Sequence, residues 1–180
     1  DQDAPLYLPE DTEAEGFISA LLEKAGIAAH ETCIAIHPGA SCPSKIWPVR
    51  RFAELADALH KQYGWKVVLV AGNADKAHAA AVADAMSSPV VNLAGKTSIL
   101  QLASLLRRAA IFVSNDSGPV HVAAAVGTPV VSIFGRRQPG LSPRRWGPTS
   151  PRSVALHKDV GCIECLAHHC KKQFACLSAI

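Results

Sequence analysis

Short, continuously apolar runs alternate along this chain with longer segments in which apolar residues recur at helical spacing. The runs are not alternating apolar and polar, so they predict strands buried on both faces of a parallel sheet. We place these strands at 33–36, 66–71, 90–93, 111–113 and 129–134, with 153–156 as a candidate sixth. Strands that alternate with helices favour an α/β fold: a Rossmann-like, doubly wound parallel sheet with right-handed crossovers.

Helices are predicted between these strands from their caps and apolar faces. Asp11 or Thr12 caps a first helix that ends near Gly26, and Pro48 begins a second helix that ends before Gly64. Three more helices are expected at about 75–86, around 99–106 and at 120–126. His37 begins a proline-rich loop and Trp47 lies just beyond it; we expect structural roles for both.

Four unusual loops each follow a predicted strand. They span 37–45, 72–75, 114–118 and 135–140. In an open parallel sheet the carboxyl ends of the strands share one edge, where ligands bind. Four such loops on one edge predict a binding cleft there.

The loop at 114–118, Ser-Asn-Asp-Ser-Gly, has the features of a phosphate-binding turn. It joins a buried strand to a small-residue helix, so free N–H groups and the helix dipole would face a ligand. Ser117 and Gly118 allow close backbone approach, and Pro119 suits the first helical turn. The alternative is a well-capped helix that binds nothing.

The ligand class is narrowed by motifs that the sequence lacks. The first strand is not followed by Gly-x-Gly-x-x-Gly, no acid ends the second strand as in dinucleotide-binding folds, and there is no Walker A sequence. Asp116 has no acidic neighbour two residues away, which argues against a metal-bound diphosphate. Protein groups would then neutralise a diphosphate, and Lys45, His121 and the helix N-terminus are the candidates.

Composition indicates a single soluble globular domain, with 49% apolar and 18% charged residues. No apolar run approaches the ~20 residues of a membrane span. The start lacks signal-peptide features and a methionine, so we expect a fragment or a processed chain.

The net charge of +3 combines +6 over 136–180 with −3 over the rest. This basic quarter is either a solvated loop or a surface for an anionic partner; without interleaved aromatic residues, nucleic acid is disfavoured.

Four of the six cysteines crowd the tail: Cys162, Cys165, Cys170 and Cys176. Their spacing permits a structural zinc site, for which His168 and His169 are substitute ligands. An iron–sulfur cluster held by the same tail is a less favoured alternative to zinc. Reduced thiols and a disulfide formed during handling are the other interpretations, since a reducing cytosol disfavours native disulfides.

Several motifs occur in an order that carries a family resemblance. They are His-Pro-Gly-Ala-Ser at 37–41, Lys-x-Trp-Pro at 45–48 with Arg51 and Phe52, Asn-Leu-Ala-Gly-Lys-Thr at 92–97, Asn-Asp-Ser-Gly-Pro-x-His at 115–121 and Gly-Thr-Pro-Val-Val at 127–131 with Phe134 and Gly135. Over roughly 30–180 the chain resembles the C-terminal half of glycosyltransferase family 9, the ADP-heptose:lipopolysaccharide heptosyltransferases. The cysteine tail is also similar to a pattern found in part of that family.

The resemblance implies the donor-binding half of a GT-B glycosyltransferase. The implied reaction is an inverting, metal-independent transfer of heptose from ADP-heptose to the lipopolysaccharide inner core, in the cytoplasm or peripherally on the inner face of the cytoplasmic membrane. The family's catalytic base and acceptor site belong to an N-terminal domain, so no catalytic residue is expected here. We expect the chain to bind donor weakly and not to turn over alone. A stand-alone nucleotide-sugar-binding module and a family member with another donor are the alternatives.

The resemblance also implies roles for individual residues. Lys45 would pair with the diphosphate, Asp116 would hold sugar hydroxyls or orient the turn, Ser117 and Gly118 would donate N–H groups to phosphate, His121 would lie near the donor, and Gly72 and Asp75 would lie near the adenosine. Asp75 departs from the glutamate usual in the family. The expected organisation is a linker and leading helix at 1–30, a nucleotide-sugar-binding domain at 31–160 and a cysteine-rich tail packed on it at 161–180.

Overall fold

A computed structural model of the protein describes residues 6–138, 140–162, 164–165 and 168–180. Its centre is a six-stranded, all-parallel sheet in the order β3-β2-β1-β4-β5-β6. The strands are β1 (Cys33–His37), β2 (Lys66–Leu69), β3 (Val90–Asn92), β4 (Ala109–Asn115), β5 (Val130–Phe134) and β6 (Ser153–His157). This order is that of a Rossmann-like doubly wound sheet, so the predicted fold class is confirmed.

Seven helices are found in the described part of the chain. They are α1 (Thr12–Lys24), α2 (Val49–Tyr63), α3 (Lys76–Ala85), α4 (Ile99–Arg108), α5 (Pro119–Ala125), α6 (Pro143–Trp146) and α7 (Ala175–Ser178). Short 3₁₀ turns at Pro43–Lys45 and Asn73–Asp75 lie in the loops after β1 and β2. The predicted cap of α1 is present, because the Asp11 carboxylate accepts a hydrogen bond of 2.8 Å from the Ala14 N–H.

Two hydrophobic cores cover the two faces of the sheet. On one face α1, α4 and α5 bury residues such as Ile18, Leu105 and Val120 against β1 and β4. On the other face α2 and α3 pack against Ile34 and Leu69, and α7 adds Leu177 to the same cluster. All five residues of β1 are buried. The continuous apolar run that predicted this strand therefore reflects a strand covered on both sides.

Element boundaries differ from the sequence predictions at the edge where the loops meet. β2 ends at Leu69, two residues early, and β4 continues through Ser114 and Asn115, which the apolar pattern assigned to a turn. The polar pair extends the strand because both residues keep parallel partners in β5 and their side chains find hydrogen bonds. α5 lies one residue earlier than predicted. The sixth strand is present, largely exposed at the sheet edge.

Four predictions fall wholly or partly outside the described residues. They are the absence of signal-peptide features at 1–5, the start of the linker at 1–30, the loop at 135–140, which contains Pro139, and the tail at 161–180, in which 163, 166 and 167 are not described. Among the described residues, no helix combines the length and apolarity needed to cross a bilayer.

Candidate functional site

The strand order changes direction between β1 and β4, which are neighbours in the sheet. The proline-rich loop follows β1, and the short polar turn follows β4. In this strand order ligands bind in the crevice beyond the carboxyl ends of the strands at the switch point. The last pair of the ladder between these strands, His37 with Ser114, lies at this crevice. The structure thus brings the loop at 37–45 and the turn at 114–118 together, as expected.

The Asn115 side chain ties the two loops to each other. Its amide nitrogen donates to the Pro38 carbonyl at 2.7 Å, and its amide oxygen accepts from the Trp47 N–H at 3.0 Å. The residue is fully buried, so both halves of its amide need a partner. Asn115 fixes the loop that carries Lys45 relative to the turn that carries Asp116. The motif analysis gave Asn115 no role of its own.

Lys45 and Asp116 form an ion pair across the crevice, with Nζ and Oδ2 separated by 2.8 Å. The Asp116 side chain is 8% exposed and that of Lys45 is 20% exposed. The lysine neutralises a carboxylate that burial would otherwise destabilise. Both residues therefore lie at one site, with the lysine already bound to an anionic group of the protein.

Two backbone N–H groups in the turn lack an acceptor within the described part of the chain. The N–H of Asp116 bonds to the Ile133 carbonyl, and those of Val120 and His121 bond to the carbonyls of Ser117 and Gly118. The N–H groups of Ser117 and Gly118 have no such bond. Gly118 is exposed, and a Cβ built on it would meet no atom within 4 Å. The two N–H groups predicted to contact phosphate are therefore the ones left available.

His37 lies buried at the end of β1, beside the phosphate-binding turn. Its Nδ1 is 3.2 Å from the Ser117 hydroxyl and 3.4 Å from that of Ser114, and the two hydroxyls are 3.0 Å apart. Burial lowers the pKa of His37, while the negative charge of Asp75 opposes this shift. At neutral pH the imidazole is therefore uncharged.

A cavity of about 190 Å³ opens on the same edge, between β1, the end of β2 and the start of α4. Its lining is largely apolar, and consists of His37, Val70, Ala71, Gly72, Thr97, Ser98, Ile99, Leu102 and Pro119. Gly72 therefore lies at this cavity, whereas Asp75 packs against Gly39 and is 3.5 Å from His78. His121 is half-buried on the first turn of α5.

Arg136 is a buried cation at the site that sequence reasoning missed. It is 8% exposed, and its Nε donates to the Ser44 hydroxyl at 2.8 Å while its terminal nitrogen donates to the Cys42 thiol. Within the described ranges it has no carboxylate partner. In the sequence Arg136 is one of several basic residues of 136–180, and its position directly after Gly135, at the end of a strand, is the signal that distinguishes it.

The four tail cysteines line a single pocket, together with residues of β6 and the loop after β5. Burial and the neighbouring thiols Cys170, Cys165 and Cys162 raise the pKa of Cys176. The convergence that a metal site needs is therefore met in part. No group of three His, Cys, Asp or Glu side chains among the described residues is arranged to hold a metal ion.

Fold and site together define a Rossmann-like domain whose switch-point crevice holds an ion pair and two available backbone N–H groups. The family model described as "Glycosyltransferase family 9 (heptosyltransferase)" matches residues 3–175. The chain belongs to this family.

Curated relatives and a solved structure agree with this assignment. The chain is 38% identical over 118 residues to lipopolysaccharide heptosyltransferase 3 of Escherichia coli, covering 63% of this chain and 34% of that protein. It is 33% identical over 144 residues to lipopolysaccharide heptosyltransferase 2 of Salmonella typhimurium, covering 77% and 41%. The structure of E. coli ADP-heptose lipopolysaccharide heptosyltransferase II aligns with a TM-score of 0.74 and 28% identity, over 89% of this chain and 49% of that one. The chain thus spans about two fifths or less of these two curated relatives.

Proposed function

We propose that this chain is the donor-binding domain of an inverting, metal-independent GT-B heptosyltransferase, which transfers heptose from ADP-heptose to the lipopolysaccharide inner core. One observation carries the proposal: the available N–H groups of Ser117 and Gly118 lie in the same turn as Asp116, whose partner is Lys45. A pair of free N–H groups beside a lysine suits a diphosphate. Heptose and lipopolysaccharide are proposed because the relatives of this chain are lipopolysaccharide heptosyltransferases.

In this proposal the diphosphate binds at the switch point. Ser117 and Gly118 donate their N–H groups to phosphate oxygens, and the Lys45 ammonium turns from Asp116 toward the same oxygens. Asp116 then accepts hydrogen bonds from sugar hydroxyls. Arg136 adds a second positive charge and, through Ser44, holds the loop that carries Lys45.

The adenosine occupies the apolar cavity beside Gly72, which is large enough for part of a nucleoside. His121, on the first turn of α5, lies on the donor side of the turn. Asp75 does not line the cavity. It would contact the ribose only after a shift of its loop.

The acceptor and the general base belong to an N-terminal domain in this scheme. A deprotonated acceptor hydroxyl attacks the anomeric carbon, and the bond from that carbon to the β-phosphate oxygen breaks as ADP leaves. Lys45 and the two N–H groups stabilise the charge that develops on the departing diphosphate. A glycolipid acceptor places the enzyme in the cytoplasm, at the inner face of the membrane. The basic surface over 136–180 suits an anionic membrane or acceptor.

Calorimetric titration tests the donor. We expect ADP-heptose and ADP to bind this chain, and UDP and GDP to bind at least tenfold more weakly, since the site would be shaped for adenine. Tighter binding of UDP or GDP would refute the heptose assignment. A chain that binds no nucleotide at all would refute the donor-domain proposal.

A structural zinc ion in the cysteine tail remains part of the proposal. Cys162, Cys165, Cys170 and Cys176 would supply four thiolates. They line one pocket, but no three of the described side chains are already arranged to hold a metal ion, so zinc would have to draw the thiols together. Metal analysis of protein purified without chelator is expected to give close to one equivalent of zinc. Less than about a tenth of an equivalent would leave the thiols as reduced, metal-free side chains.

A further inference from the structure

The hydroxyls of Ser114 and Ser117 and the Nδ1 atom of His37 form a triangle with sides of 3.0, 3.2 and 3.4 Å. The Ser114 hydroxyl is also 2.8 Å from the Asn115 carbonyl oxygen, which can only accept. A serine hydroxyl has one hydrogen, so Ser114 gives its hydrogen to this carbonyl and must accept from its other neighbours.

This constraint passes along the cluster. Ser117 donates to Ser114, because Ser114 has no second hydrogen to offer. The Ser117 oxygen then accepts from His37, which requires a hydrogen on Nδ1. The result is one directed chain of hydrogen bonds from His37 through Ser117 and Ser114 to the Asn115 carbonyl. If Nδ1 carried no hydrogen, two atoms of the triangle would face each other with only lone pairs and no hydrogen between them.

We propose that this chain of hydrogen bonds holds His37 in the Nδ1–H tautomer, so that Nε2 presents a lone pair to the cavity and accepts a hydrogen bond from the bound nucleotide. His37 is thus a specificity-determining residue of the donor site. The inference rests on the proposed nucleotide-binding function and adds a polar contact to a cavity that is otherwise largely apolar. The chemistry it recognises is an N–H or O–H donor, either the amine of adenine or a ribose hydroxyl.

The surroundings of His37 support an uncharged ring. Ile99 and Leu102 of α4 and Pro119 of α5 line the same cavity, and they carry no charge. Ser114 and Ser117 are neutral. Asp75 and His78 are the titratable groups that act on the ring, with opposite effects on its pKa, and burial outweighs both. Its Nε2 has no hydrogen-bond partner among the described residues.

The tautomer is measured directly by long-range proton–nitrogen NMR of the chain labelled in its histidines. Neutral imidazole nitrogens with and without hydrogen differ in chemical shift, and His37→Asn identifies the signal by its loss. We expect His37 to show a protonated Nδ1 and a bare Nε2 at pH 7.5. Ser117→Ala removes the middle hydroxyl of the hydrogen-bond chain and is expected to produce a mixture of His37 tautomers. A His37 that carries its hydrogen on Nε2 overturns the proposal, whether or not nucleotide binds.

Nucleotide analogues test the contact itself. Inosine diphosphate replaces the adenine amine with a carbonyl, and 2′-deoxy-ADP removes a ribose hydroxyl. We expect one of them to bind about three- to tenfold more weakly than ADP, as for one lost hydrogen bond. The analogue that is discriminated against identifies which group His37 contacts.

Two variants separate this contact from a structural role of His37. His37→Asn keeps a hydrogen-bond donor near the position of Nδ1 but has no atom at the position of Nε2. The difference in affinity between ADP and the discriminated analogue should therefore disappear. Gln at this position places an amide oxygen near Nε2 and should restore part of it. Equal discrimination in wild type and His37→Asn, with ADP binding intact, overturns this inference alone. A wild-type chain that binds no ADP overturns the proposed function and this contact with it.

Discussion

Lys45 and Asp116 cannot be altered independently, because each is the counter-ion of the other at 2.8 Å. Removing the lysine leaves a nearly buried carboxylate without a partner, which is expected to cost about 2 kcal/mol of stability, below the range for fully buried pairs because the lysine is partly exposed. A loss of nucleotide binding in Lys45→Ala therefore has two causes that a single variant confounds.

A double variant separates the two causes. We expect Lys45→Met to lower both the melting temperature and the affinity for ADP, the latter at least tenfold. Lys45→Met combined with Asp116→Asn should recover most of the melting temperature, because no unpaired charge remains, while the affinity stays low. Calorimetry and thermal unfolding of the wild type and these two variants measure this. Recovered affinity in the double variant would show that the lysine does not contact the diphosphate.

The lowered pKa of His37 predicts the sign of a pH effect on stability. The unfolded chain has a histidine pKa near 6.5, whereas burial holds the folded value below it. As the pH falls through about 6.5, the unfolded state takes up a proton that the folded state does not, so the free energy of unfolding decreases. The stability contributed by the neutral ring is complete above pH ~7 and is lost toward acid.

Urea unfolding between pH 7.5 and 5.5 measures this effect. We expect the stability of the wild type to fall over this interval and that of His37→Gln to fall less. His30, an exposed histidine, provides the matched control as His30→Gln. If the two variants show the same pH dependence, the loss belongs to other groups.

At the scale of elements, the apolar runs located all six strands because each strand is covered on both faces or paired along its length. The predicted ends of β2 and β4 were wrong, and for β4 the structure gives a physical reason. Ser114 and Asn115 have the sequence features of turn residues, yet they complete β4 because His37 at the end of β1 and Pro38 just after it supply partners for their side chains. A local pattern cannot show a bond to a residue some 77 positions away.

The same limit applies to the candidate site. Lys45, Asp116 and Ser117 could be selected from motifs, since each lies in a loop that follows a strand. Arg136 also follows a strand, but its burial involves Ser44, which is 92 residues distant in sequence, so the local pattern did not separate it from the other basic residues of 136–180. The ion pair of Lys45 with Asp116 could not be predicted from the sequence either, since charge and spacing alone do not determine which cation pairs with which anion. Gly72 and Asp75, neighbours in sequence, were separated by the fold.

The loop after β5 and the loop after β1 touch through a glycine. A Cβ on Gly135 would overlap the carbonyl oxygen of Ser44 and lie 3.1 Å from the Leu177 side chain. The backbone oxygen cannot rotate away, so Gly135→Ala is expected to cost about 3 kcal/mol, the upper part of the range for overpacking.

Gly118→Ala is the matched control for that substitution. Gly118 has φ −50° and ψ −42° and no atom within 4 Å of a built Cβ, so alanine fits without strain. We expect its unfolding free energy to change by less than about 0.5 kcal/mol. Its affinity for ADP should fall, because the new methyl group stands beside the N–H groups offered to phosphate. Unchanged affinity would remove Gly118 from the phosphate site.

At the scale of the whole molecule, the chain combines a complete sheet with only part of a family member's length. Both faces of the central strands are covered, and the core on each side includes residues from the flanks of the predicted domain: Ile18 from α1 and Leu177 from α7. We therefore propose that the leading helix and the tail belong to the same cooperative unit as 31–160, although they lie beyond its predicted limits.

Leu177 tests whether the tail is part of that unit. Its side chain is fully buried in the cluster formed by α2, α3 and the sheet, and it lies against Gly135 at the edge of the site. Leu177→Ala should lower the free energy of unfolding by about 3 kcal/mol and shift the whole denaturant transition, as for a core leucine. Leu6→Ala, at a position that is 50% exposed, should change it by less than about 0.5 kcal/mol. A stable Leu177→Ala variant would mean that the tail docks without contributing to the fold. A single, shifted transition would mean that the cysteine pocket and the donor crevice are built on one core, so that a change in the tail reaches Gly135 and, through Ser44, the loop that carries Lys45.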